Sequence, residues 1–397
     1  MRPAHSAIAQ AVSALDNPTP RPERARPVAL LVARYPDPQP SAALHEGNEL
    51  ERLGQPVVVL PLRREERGVR AGWRSGARSL RRYHRALAAL LGDEIRESWS
   101  RPARLLALRH LPRALELAEQ AERLGVAHLH AGAGDAAAVT AFAVHRLTGV
   151  PFSVTLGADD VGGLEALPPG VLAAASFVRC RWEADRGALL ARGLGERVRL
   201  IRAAVGVRER GAAAAAGEPH IVCAGPIDER GGHLTLVAAC LRLRRRRLGF
   251  TCDILGDGPL RTRVEAAIDA VGLEGVVRVL SARAEMDERV ERAAVVVHAG
   301  LHPRESRDAV WLPLLRAMAA RRAIVLADGP AAREMVEDGV SGVLVPAGDP
   351  DALADALERL LRQPEVARWL GEQARRKAGR EFDLAQWGRQ LVEALRA

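Results

Sequence analysis

Lysine is nearly absent from this chain: Lys377 stands alone, and arginine makes up the rest of its 58 basic residues. Aromatic residues are scarce too, at 3% of 397. The net charge of +9 therefore comes without the stacking side chains that hold single strands, and no nucleic-acid partner is expected. No apolar run is long enough to span a bilayer. Residues 1–26 carry Pro and Arg without the apolar core of a secretory signal and read as a disordered leader. The four cysteines, Cys180, Cys223, Cys240 and Cys252, lack metal-ligand spacing and fall largely in apolar strand patterns, where a thiol packs as a small hydrophobe. A reduced, cytoplasmic protein without a bound metal is the expectation.

What the chain does have is alternation. Apolar runs bounded by Pro or Gly ("PVALLVA", "PVVVLPL", "HLHAG", "PFSVTLG", "SFVRC", "RVRLI") are separated by segments of helical period, which argues for a parallel sheet with helices on both faces. The pattern restarts after "RERGAAAAAGEP" with "HIVCAG", "FTCDIL", "VVRVL", "AVVVHAG", "AIVLAD" and "GVLVP". The reading is two doubly wound α/β domains, at residues 27–210 and 220–381, joined by a linker at 211–219 and followed by a final helix over 382–397. Ligands of such sheets bind at the carboxyl ends of the strands.

Three stretches of the second half stand out: "CAGPIDERGGH" (223–233), the tight turn "DILGDGP" (253–259) and "EMVEDGVSGVLVPAGDPDALADAL" (334–357). Glycines in the "DILGDGP" turn permit close backbone approach, and the helix after it offers N–H groups to an anion. In this order the three resemble the carboxy-terminal domain of the family 4 retaining glycosyltransferases, whose fold is GT-B: two Rossmann-like domains facing a central cleft. "RYPDPQPSAALHEGNELERLGQPVVVLPL" and "HLHAGAGDAAAVTAFAVHRLTGVPFSVTLGADD" are similar to the first domain of the exopolysaccharide members, and "EFDLAQWGRQLVEAL" resembles the helix that crosses back to it.

The resemblance implies a hexosyltransferase that takes a nucleotide-sugar donor without a metal or other cofactor and passes the sugar, with retention, to a glycan, lipid-linked or small-molecule acceptor. It assigns Asp308 to the donor sugar as the catalytic acid. It assigns Gly225, Arg230, Gly232, Gly256, Asp257, Gly258, Arg316 and Glu334 to the donor. His130, Gly157, Asp159 and Asp160 fall on the acceptor side of the cleft. The sequence departs from the family at several of these places. Pro226 and Gly231 stand where an arginine and a lysine are usual, leaving Arg230 as the nearby cation. Arg316 stands where a glutamate accepts the ribose hydroxyls, and a guanidinium has donors only. Arg316 can hold a phosphate, salt-bridge Asp308 or lie along a partly solvated helix face. Glu334 matches its family position near the diphosphate, where it also suits a helix dipole.

On the first domain, Gly157-Ala158-Asp159-Asp160 replaces a histidine-bearing segment; the two acids are either new functional groups or solvated turn residues. His128 and His130 alternate on a strand and face together, which suits core histidines as well as a site. Arg70, Arg74, Arg78 and Arg82 recur every four residues in "VRAGWRSGARSLRRYHRALAALL", widened by Arg81 and Arg85. This stripe over 70–85 suits either solvent or an anionic membrane surface, and in the second case it would bring the cytoplasmic protein to the periphery of the inner membrane face. "RLRRRR" (242–247) reads as the solvated end of a helix. Two function classes follow: a working transferase with a diverged donor site, or a catalytically inactive relative that serves as a binding or scaffolding partner.

Overall fold

The structure, a computed structural model, describes residues 26–34, 42–63, 82–88, 101–134, 136–157, 167, 169–206, 219–281, 286–300 and 308–396. It divides into two compact units: one runs to Ile201 and takes back Gly388–Ala397, and the other is Arg202–Trp387.

The first unit is built on β1 (Val28–Arg34), α1 (Ala42–Arg52), β2 (Val57–Arg63), α2 (Arg101–Arg123), β3 (His128–Ala131), α3 (Ala136–Thr148), β4 (Phe152–Leu156), α4 (Pro169–Ala174), β5 (Val178–Cys180), α5 (Glu183–Leu190) and β6 (Val198–Leu200). Its strands form one sheet in the order β2-β1-β3-β4-β5-β6, with every described pairing parallel. β3, β4 and β5 are buried at every residue, the pattern of central strands covered on both faces. Helix α3 is rich in Ala and Val because it, too, is enclosed: Ala137 to Val144 are all buried.

The second unit contains β7 (His220–Ala224), α6 (His233–Arg245), β8 (Thr251–Leu255), α7 (Arg261–Ala270), β9 (Val277–Leu280), α8 (Met286–Arg292), β10 (Val295–His298), α9 (Asp308–Ala319), β11 (Ala323–Ala327), α10 (Pro330–Met335), β12 (Val343–Val345), α11 (Pro350–Arg362) and α12 (Pro364–Glu381). Its parallel sheet runs β12-β11-β10-β7-β8-β9. The first and fourth strands are central neighbours, which is the Rossmann order. Helix α11 starts where its sequence says it should: the Asp349 carboxylate accepts N–H bonds from Asp351 (2.9 Å) and Ala352 (3.0 Å), and Pro350 occupies the first turn.

Several expectations meet a different arrangement. The division falls at Ile201/Arg202 rather than near residue 210, because Val205 bridges Asp383 and its N–H donates to the Phe382 carbonyl at 2.8 Å, tying this connector into the second unit. Of the expected linker, residues 211–218 lie outside the described residues, as does the leader up to residue 25. The last helix, α13 (Leu384–Arg396), starts in the second unit and ends in the first, where Gly388 leaves room for the Leu53 side chain. Nor is the "RLRRRR" run merely solvated. Arg242 pairs with Asp351, and Arg246 with Asp355 (2.6 Å) and Glu358 (2.7 Å), bolting α6 to α11. All four cysteines are free and buried, and among the described residues no helix is long and apolar enough to cross a membrane.

Candidate functional site

The chain leaves β7 and β10 toward opposite edges of the second sheet, so their carboxyl ends open the crevice in which such folds bind ligands. Three loops meet at this end: 225–232 after β7, 256–260 after β8, and 299–300 after β10. Glycines lock them together. A Cβ at Gly256 would strike the Gly225 carbonyl, one at Gly258 the Ile227 backbone, one at Gly232 the Ala299 backbone, and one at Gly300 the Arg230 carbonyl. Gly232 also adopts φ 67°, in the left-handed region that favours glycine. The close approach that these glycines permit is therefore between loops of the protein itself. Hydrogen bonds complete the lacing: Ile227 N–H to the Asp257 carbonyl (3.1 Å) and Leu260 N–H to the Ile227 carbonyl (3.0 Å).

The β7–α6 loop ends at an uncapped helix. Asp228 folds back to accept the Arg230 and Gly231 N–H groups, both at 3.1 Å, while Gly232 occupies the N-cap of α6 without a capping side chain. The first amides of α6 are thus left to other acceptors. His233, the first residue of the helix, is buried and turns its ring onto Gly231, filling the space that a side chain at 231 would enter. Burial pushes its imidazole down to about 4, against the opposing charge of Asp228, so the ring is neutral at pH 7. Arg230 is exposed at the tip of the same loop.

The remaining expected donor residues have specific partners. Asp257 pairs with Arg261 (2.7 Å) and accepts from the Ser281 hydroxyl (2.8 Å), which ties the β8–α7 turn to the end of β9. Arg316 forms an ion pair with Asp287 on α8. Asp308 opens α9, but its side chain lies outside the described residues. Glu334, on α10, is held at 2.8 Å by Arg202, whose guanidinium also lies 5.8 Å from the Phe382 ring.

In the first unit, His130 is a core residue. It is 3% exposed; its Nδ1 meets the Ser153 hydroxyl at 2.8 Å and its Nε2 meets Thr155 at 2.9 Å, so both ring nitrogens are engaged within the sheet. This removes it from the acceptor-side residues: a ring saturated by β4 has no nitrogen left for a ligand. His128 shares Ser153 at 2.8 Å, and burial lowers it to about 4. Gly157 is buried at the end of β4, while Asp159 and Asp160 lie outside the described residues. So do residues 70–81 of the arginine stripe; of the rest, Arg82 ion-pairs with Glu122 and Arg85 is exposed.

Sequence reasoning missed Arg202, Asp287, His233 and Asp253. The last had a signal, a lone acid inside the apolar strand "FTCDIL". Its side chain is fully buried, with His220 at 3.0 Å, Arg278 at 2.9 Å and Arg289 around it. Burial alone would raise this carboxyl; the His220 hydrogen bond and the two arginines outweigh it and hold the carboxyl below the usual range. Among the described residues, no cluster of three or more His, Cys, Asp or Glu is arranged to hold a metal ion.

Residues 218–363, most of the second unit, match the family described as Glycosyl transferases group 1. An exopolysaccharide phosphotransferase of Streptomyces coelicolor is 32% identical over 151 residues, 36% of this chain and 15% of that protein. The alpha-D-kanosaminyltransferase of Streptomyces kanamyceticus is 28% identical over 176 residues, 44% of each chain. The matched stretch thus spans less than half the length of these relatives. Likeness in three dimensions extends further: the structure of Anabaena HepE in complex with UDP and glucose superposes with a TM-score of 0.68 over 93% of this chain and 99% of that one, at 17% identity. The second unit therefore matches the Glycosyl transferases group 1 family in sequence over residues 218–363, and the chain shares its two-domain GT-B fold with solved glycosyltransferase structures.

Proposed function

We propose that this protein transfers a hexose from a nucleotide-sugar donor to a glycan, lipid-linked or small-molecule acceptor, with retention at the anomeric carbon and without a metal. The observation that carries the reading is the glycine-laced loop cluster at the β7/β10 switch point, inside the stretch that matches the family. A rigid backbone there presents the uncapped amides of α6 to a diphosphate, and fixed dipoles aimed at a departing anion stabilise it without reorganisation. Arg230 supplies charge from the loop tip, neutral His233 supplies a hydrogen-bonding ring, and Asp308 addresses the sugar from the start of α9. HepE, which shares the fold, has been crystallised with UDP, which supports a nucleoside diphosphate as the leaving group here.

Calorimetric titration of the full chain with UDP, GDP, ADP and dTDP, followed by assay of diphosphate release from the matching nucleotide sugars, tests the reading. One preferred nucleotide and turnover of its sugar are expected. Absence of heat with every nucleotide at millimolar concentration would overturn it. Tight binding without release would favour the second reading, an inactive relative that binds nucleotide, to which the occupied guanidinium of Arg316 lends support.

A further inference from the structure

Arg316 poses a specific problem for a nucleotide site. Its guanidinium is 16% exposed and can only donate, so it cannot accept the hydroxyls of a ribose. What it does is hold a carboxylate. Asp287 is 60% exposed and comes from a different element, 29 residues away in sequence. A carboxylate has about four acceptor positions, and the contact with Arg316 uses only part of that capacity. Two hydroxyls on adjacent carbons match the two oxygens of such a group.

Helix α8 is placed to present this acid. It begins beyond the carboxyl end of β9, at the end of the sheet where the glycine-laced loops lie. Seven residues make too short a helix to hold itself in place. Two ion pairs anchor it: Arg289 reaches the fully buried Asp253, and Asp287 reaches Arg316. A pair whose acid is this exposed adds little to stability, so orientation of the carboxylate is the greater consequence of the second contact.

We propose, resting on the transferase reading above, that Asp287 accepts the vicinal hydroxyls of the donor's ribose and that Arg316 is the positioning residue that holds it. The acceptor absent from position 316 is thereby supplied from α8, and the site is rewired rather than emptied.

The test compares UDP with its 2′,3′-dideoxy counterpart, or the same pair for whichever base binds best, by calorimetry on the full chain. The wild type should prefer the ribonucleotide by about tenfold or more, the worth of one charge-assisted hydrogen bond. Asp287→Ala and Asp287→Asn should bring that ratio close to one while leaving dideoxynucleotide affinity unchanged. Arg316→Gln should lower the ratio in part. The double change Asp287→Ala with Arg316→Glu, which puts a carboxylate on α9 instead, should restore it. Melting temperatures of all variants establish that each is folded. An unchanged ratio in the Asp287 variants would overturn the proposal, as would an equal loss of affinity for both nucleotides. If the wild type binds no nucleotide at all, the transferase reading falls and this proposal falls with it.

Discussion

Replacing Ser153 by alanine removes one hydroxyl and strands two imidazoles. The Ser153 Oγ sits 2.8 Å from His128 Nε2 and 2.8 Å from His130 Nδ1. A hydroxyl has one proton to donate and lone pairs to accept with, so it can donate to one ring and accept from the other, while Thr155 completes the chain at 2.9 Å. All four side chains are buried and no water can substitute freely. Each unsatisfied buried nitrogen costs about 1–3 kcal/mol, so Ser153→Ala should lower the unfolding free energy by about 2–4 kcal/mol. Urea titration at pH 7.5 measures this directly, and nucleotide affinity at 20 °C, read in the same variant, should not change, because the site argued above is built on the second unit. The wild type should also show an acid signature. His128 falls from its ordinary value near 6.5 to about 4 in the folded protein, so the unfolded chain takes up the proton first. Stability from this group is therefore complete above pH about 6.5 and is lost as pH falls to about 4, by about 3 kcal/mol. His233 repeats the window, since it too is lowered to about 4. A Ser153→Ala protein within about 0.5 kcal/mol of wild type would refute the reasoning, because the rings would then have to be satisfied without the hydroxyl.

Two further changes probe the second unit. Asp253→Asn should destabilise it by about 2 kcal/mol, less than the 3–5 typical of a fully enclosed pair, because Arg278 is half exposed. Since this carboxyl is depressed in the folded state, its contribution exists above its ordinary value of 3.8 and disappears as pH falls; urea titrations at pH 7 and pH 3 should therefore converge for variant and wild type at the lower pH. Gly231→Lys should lower the melting temperature on its own, because the His233 ring and the Pro226 carbonyl occupy the space of its side chain, whereas Gly231→Lys with His233→Ala should recover most of the loss and tighten nucleoside diphosphate binding about tenfold. A single variant as stable as wild type would remove the steric argument.

Much of this molecule is legible in the order of its residues. Runs such as "AVVVHAG" and "AIVLAD", separated by helical segments, encode central parallel strands by local periodicity alone, and the restart after residue 219 separates two sheets. The glycines at 232, 256 and 258 also announce themselves, because a position that tolerates no Cβ is marked by the residue type itself. What a glycine is clear of is another matter. Gly256 and Gly258 yield to the neighbouring loop, more than 25 residues earlier in the chain, and no spacing rule carries that information. Charge partners are harder still. The Arg316 guanidinium reaches Asp287 on α8, 29 residues away, and Glu334 is claimed by Arg202 from 132 residues away. His128 and His130 show the same limit from inside the core: alternation places both on one face of β3, and only the register of β4 decides that Ser153 and Thr155 stand opposite them. Backbone periodicity is a short-range property, read from a few neighbouring residues. The partner of a long charged or polar side chain is set by which elements the packed sheets bring within 3 Å, and that is decided in three dimensions.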